Sequence, residues 1–70
     1  MQVYIWDNRD DDPITIPGGV IPVNILVIFA KDRARAADMA LLEFNAEIPE
    51  DFEPSYVATV LGVSEKIFIA

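Results

Sequence analysis

The sequence predicts an α+β fold in which a single small domain, residues 1–70, packs one helix on an antiparallel or mixed sheet in the order β-β-α-β-β. Three observations carry this. β-branched and aromatic residues concentrate in short segments at 2–6, 23–30, 56–60 and 66–69. One stretch, 33–46, repeats its apolar residues at spacings of three and four. A chain of 70 residues buries only about 60% of the surface it exposes when unfolded, so one core is the ceiling.

Val3-Tyr4-Ile5-Trp6 give the first strand, which the turn-prone Asp7-Asn8-Arg9-Asp10-Asp11-Asp12-Pro13 segment ends. Ile14-Thr15-Ile16 and Val20-Ile21 flank Gly18-Gly19, a pair able to take the positive φ angles of a tight hairpin. Pro17 and Pro22 confine this arm to an edge or an irregular path. In 23–30, Val23, Ile25, Val27 and Phe29 point to one face and Leu26, Ile28 and Ala30 to the other. With both faces apolar, this strand belongs at the centre of the sheet. A single helix covers one face, so the other face calls for the 14–21 arm or a second chain.

Asp32 suits a helix N-cap, and Ala34, Ala37, Leu41, Phe44 and Ile48 form the stripe expected to face the sheet, with Pro49 closing the helix. Arg35, Met39, Leu42 and Ala46 then share the outward face. There Met39 and Leu42 make a contact face or dimer seam, or lie beneath a loop. Residues 47–54 form an acidic loop with two prolines and Phe52. A strand over 56–60, a turn at Gly62-Val63-Ser64 and a last strand over 66–69 complete the chain.

The chain has no cysteine and no histidine, which excludes a disulfide framework, thiolate or imidazole metal sites, and the Ser-His-Asp and Cys-His catalytic arrangements. No enzyme and no cofactor is expected. Carboxylate pairs remain as acid–base candidates, but nothing fixes a pair or a substrate. The opening residues, Met1-Gln2-Val3-Tyr4-Ile5-Trp6-Asp7, lack the basic and apolar regions of a secretory signal. The longest apolar run, 25–30, is far shorter than the roughly 20 residues that span a bilayer. The expectation is a cytoplasmic protein without membrane contact.

The formal net charge is −7 and lies in two blocks, residues 7–12 at −3 and residues 43–53 at −5, with 31–38 at +1. Such a charge repels nucleic-acid phosphate and favours basic protein surfaces. Asp10, Asp11 and Asp12 form a solvated turn, a contact patch or a site for a hard cation; an EF-hand is excluded, because from Asp7 the third position is Arg9 and the sixth Asp12. In the second block, Glu47, Glu50, Asp51 and Glu53 surround Phe52. That ring either anchors a partner inside an acidic rim or tucks under its own loop as a lid on the helix end. Lys31, Arg33 and Arg35 sit where the helix dipole disfavours cations, so they either pair with Asp32, Asp38 or the 10–12 loop, or face a partner.

Two resemblances follow. Val57-Ala58-Thr59-Val60-Leu61-Gly62-Val63-Ser64-Glu65-Lys66 resembles the turn of helix-turn-helix DNA readers, which implies a recognition helix after the glycine; the apolar Ile67-Phe68-Ile69 and the acidic net charge oppose that use. The stretch from Asn24 to Ala40, a strand ending in alanine and then a capped helix with spaced alanines, resembles small acidic bacteriophage inhibitors: anti-CRISPR proteins and the inhibitor of host RNA polymerase. That resemblance implies a non-enzymatic protein blocking a bacterial nucleic-acid machine.

The expected partner is thus the basic surface of a bacterial nucleic-acid-binding protein, with no direct nucleic-acid contact. The residues expected to meet it are Asp10, Asp11, Asp12, Glu47, Glu50, Asp51, Phe52, Glu53, Met39 and Leu42. The alternative is a homodimer through the uncovered face of strand 23–30.

Overall fold

Pleating puts alternate residues of each strand on opposite faces, and the chain uses one set to meet its helix. The computed structural model describes residues 1–7, 15–16, 19–20, 25–45, 48 and 52–69, with 15–16 and 19–20 described by backbone alone. Along the chain lie β1 (Gln2–Asp7), β2 (Thr15–Ile16), β3 (Gly19–Val20), β4 (Ile25–Ala30), α1 (Arg33–Phe44), β5 (Tyr56–Thr59) and β6 (Lys66–Ile69). The four longer strands form an antiparallel sheet in the order β5-β1-β4-β6, and β2 pairs with β3 as a separate hairpin. This is the α+β arrangement expected from the sequence, with its most apolar strand, β4, central.

The register explains the core. Tyr4 is opposite Ile28, Trp6 opposite Leu26, and Ile28 opposite Ile67, so these side chains share the helix face of the sheet. Tyr4, Trp6, Leu26, Ile28 and Ala30 are buried there against Ala36, Met39 and Ala40 of the helix, with Phe44, Ile48, Phe52 and Ile67 packed around them. Ile28 and Leu26 are the largest side chains fully enclosed.

On the far face, Val3 and Val27 at the centre are each only 8% exposed. The face expected to be uncovered is therefore largely buried at its middle. Its accessible apolar side chains lie at its margins: Tyr56 of β5, and Phe68 of β6, whose ring stacks on Phe29 at 6.1 Å.

Helix α1 begins as expected. The Asp32 carboxylate accepts from the Arg35 backbone N–H at 2.8 Å, and the Asp32 carbonyl accepts from Ala36 N–H at 3.1 Å. It stops at Phe44, before Pro49, because Asn45 adopts the left-handed conformation (φ 52°, ψ 41°) and donates its N–H to the Leu41 carbonyl.

The buried face of α1 differs from the expected stripe. Ala36, Met39 and Ala40 are buried, whereas Ala34 and Leu41 are exposed and Ala37 is half-buried. Two arginines flank the buried arc. Arg33 reaches the 52–53 segment on one flank and Arg35 reaches Glu65 on the other. At about 100° per residue, Ala36 and Ala40 fall in the arc between them and point at the sheet. Small residues there let the helix approach closely, and Met39 fills the gap beside them.

Residues 57–66 do not form a two-helix turn. Residues 56–59 are a strand, 60–65 carry no helix, and Gly62 takes φ +74°, a backbone conformation that favours glycine. Helix-turn-helix DNA reading through this segment is overturned.

Candidate partner-binding surface

Of the ten expected contact residues, Asp10, Asp11, Asp12, Glu47, Glu50 and Asp51 lie outside the described residues, and Phe52, Glu53, Met39 and Leu42 lie within them. Met39 is corrected outright: it belongs to the core. Leu42, two positions beyond Ala40, is 80% exposed and keeps its place on the outer surface.

Phe52 is half-buried and packs against the core, so it is the lid rather than a free anchor. Its ring meets the Trp6 ring edge-on at 6.4 Å, and its backbone carbonyl accepts two hydrogen bonds: from the Trp6 indole N–H at 3.0 Å and from Arg33 Nη2 at 2.7 Å. A buried indole N–H requires an acceptor, and this carbonyl supplies it. Arg33 Nη1 also lies 3.4 Å from Glu53 Oε1, although the Glu53 side chain remains 76% exposed. Ser55 then donates its N–H to the Ile5 carbonyl at 2.7 Å, and its hydroxyl oxygen accepts from Asp7 N–H at 3.1 Å. The 52–55 segment is thereby stitched to the end of β1, which delivers the chain into β5 at a fixed register.

The opposite flank has one dominant contact. Arg35 grips Glu65 in a fork, Nε to Oε2 at 2.8 Å and Nη2 to Oε1 at 3.1 Å. The hydrogen bond from Arg35, together with its charge, holds the Glu65 carboxyl below the usual carboxylate range and raises the guanidinium further. Lys66 places Nζ 5.0 Å above the Phe29 ring, a cation–π contact across the β4–β6 pair. The helix-start arginines are thus engaged by the chain itself, Arg33 through Glu53 and the Phe52 carbonyl and Arg35 through Glu65, while the 10–12 loop also expected as a partner lies outside the described residues. Glu53 and Glu65 lie 20 and 30 residues away, and no local spacing signals them.

An open, mostly apolar groove is lined by Arg33, Ala34, Ala37, Asp38 and Ile48. Among the described residues no three His, Cys, Asp or Glu side chains gather as metal ligands, and no helix is long and apolar enough to cross a membrane. Among the described residues, the large apolar side chains that are exposed besides Leu41 and Leu42 of the helix are Tyr56, Val57, Leu61, Phe68 and Ile69. Local composition marks Tyr56 and Val57 as strand formers and carries no signal of their exposure. The position of β5 at the edge of the sheet makes them accessible.

No family model, no curated protein and no solved structure matches this chain.

Proposed function

We propose that this protein is a non-enzymatic acidic binding module that docks on a basic, nucleic-acid-binding surface of a bacterial protein and competes there with nucleic acid. This is the mode implied by the resemblance to small phage inhibitors. The observation that supports it is the engagement of the cations. Of the four basic side chains among the described residues, Arg33 serves the Phe52 carbonyl and Glu53, Arg35 grips Glu65, and Lys66 lies over Phe29. These groups are held by the chain's own partners, while the molecule as a whole carries −7. A surface of that sign steers toward Lys/Arg-rich grooves and away from phosphate.

In this reading Asp10, Asp11, Asp12, Glu47, Glu50, Asp51 and Glu53 supply charge complementarity, and Leu42 supplies apolar area. Phe52 fixes the 52–55 segment at the end of the second block.

The test is capture of partners from a bacterial lysate at low salt and release at raised salt, followed by titration of this protein into the released protein's complex with nucleic acid. Stoichiometric displacement is expected, and replacing Asp10, Asp11 and Asp12 with Asn should slow association and flatten its salt dependence. Retention that ignores salt, or nucleic acid that stays bound at saturation, would contradict the proposal.

A further inference from the structure

Among the described residues, β5 pairs only with β1 and β6 only with β4, so each leaves one edge of the sheet without a strand neighbour. Native sheets blunt such an edge with a charge, a proline, a bulge or a cover. The β6 strand carries Lys66; β5 reads Tyr56-Val57-Ala58-Thr59, with no charge and no proline, and keeps its register with β1 from Tyr56 to Thr59, an irregularity lying at Ser55 just before it, whose N–H also meets the Ile5 carbonyl. It is also accessible, with Tyr56 57% and Val57 50% exposed.

The phase of the ladder shows which backbone groups are available. Val60 donates its N–H to the Met1 carbonyl at 2.9 Å, in step with the pairing of Ala58 with Val3. Alternation then turns the N–H and C=O of Val57 and Thr59 away from β1, toward the open edge. The side chains of Tyr56 and Val57 stand on opposite faces there, as an added strand would need. Charge supplies the third condition. The acidic block of residues 43–53 leads in sequence directly into β5, and the exposed Glu53 lies on that approach.

We propose that β5 is an addition site for an extended segment of a basic partner protein, which joins the sheet antiparallel to β5 with lysine or arginine at its C-terminal end. The proposal rests on the acidic-module reading above and deepens it by assigning where the partner's chain is held. Main-chain bonds to Val57 and Thr59 supply affinity, and Tyr56 and Val57 contact alternate side chains of the segment. Antiparallel pairing is the more stable kind and brings the C-terminal end of the segment beside residues 52–55, where its cations meet the exposed Glu53. A second copy of this chain is disfavoured as the occupant, because it would bring another −7 to the same surface.

The probe is a short synthetic peptide alternating valine and threonine and ending in paired lysines. It is compared with the same peptide ending in paired glutamates and with a form N-methylated at alternate amides. The lysine-ended peptide is expected to bind, the glutamate-ended form about tenfold more weakly at low salt, and the methylated form not measurably. Val57→Pro removes an N–H that faces away from β1, so the fold should survive with affinity about fivefold lower. Should that variant unfold, Val57→Lys places a guard charge on the same edge and should weaken binding as much.

Folded Val57 variants that bind the peptide like the parent protein would overturn the site while leaving the acidic reading intact. Equal affinity for lysine- and glutamate-ended peptides, with methylation still blocking both, would keep the edge and remove the acidic reading. Dimers of the free protein that Val57→Pro abolishes would assign the edge to a second copy and overturn the proposed occupant.

Discussion

At the β6 side of the sheet, Lys66 opens the strand with its ammonium over Phe29, and the Arg35–Glu65 fork clamps the preceding residue to the helix. At the β5 side, the strand itself is uncharged, and its fixed points lie just before it, in Ser55 and the Phe52 carbonyl. Both strands span four residues, run antiparallel to the one neighbour each has among the described residues and present apolar side chains. Topology therefore does not distinguish the two edges. The difference lies in where the chain places its charges: on the strand at β6, and ahead of the strand at β5.

The comparison can be broken most severely at its common support. Ile28 is fully buried between Tyr4 of β1 and Ile67 of β6 in the register. Ile28→Ala should cost about 2–5 kcal/mol in chemical denaturation and loosen both edges together, as seen in amide hydrogen exchange. Loss of protection in β6 with β5 unaffected would show two independent edges and undo the shared-sheet account.

The roll of the helix between its flanks comes next. Met39→Ala should destabilise by about 2–5 kcal/mol, whereas Leu42→Ala should stay within about 0.5 kcal/mol. Equal costs would refute the assignment of the buried face. The tether on the β5 side is smaller. Trp6→Phe keeps an aromatic ring but deletes the indole donor; because Arg33 still serves the Phe52 carbonyl, the loss should be about 1 kcal/mol. It should raise exchange at residues 52–56 more than in β6.

The clamp on the β6 side should give the mildest effect, and it depends on pH. The folded carboxyl of Glu65 titrates lower than the unfolded one, chiefly because Arg35 hydrogen-bonds its charged form. Its contribution is therefore complete above the ordinary glutamate value of about 4.3 and disappears as pH falls through the lower folded value. Thermal unfolding followed on acidification should show this decline in the parent protein and a flatter profile in Glu65→Gln. A burial effect of opposite sense acts on Tyr4, whose raised pKa means that stability is lost as pH climbs past the ordinary tyrosine value of about 10.

Much of this architecture was legible in the residues. β-branched composition located every long strand within about two residues, and Asp32 announced the helix start. The roll of the helix was not legible. Alanines at 34, 36, 37 and 40 satisfy two different stripes, and the contacts that flank the buried one, Arg33 to Phe52 and Arg35 to Glu65, span 19 and 30 residues. The inward turn of Met39 is hidden for that reason. The residues leave Phe52 open between anchor and lid, and its backbone carbonyl, which no side-chain pattern reports, favours the lid. The open edge was hidden too, because local composition makes 56–59 a strand without saying that it ends the sheet.

Amide hydrogen exchange at Val57 and Thr59, compared with β6 in the free protein and in the protein saturated with the lysine-ended peptide, reports whether a strand is added at β5. The account expects the peptide to slow exchange at those two β5 amides by about tenfold or more while β6 stays unchanged. Protection gained along β6, or at neither edge, would contradict it.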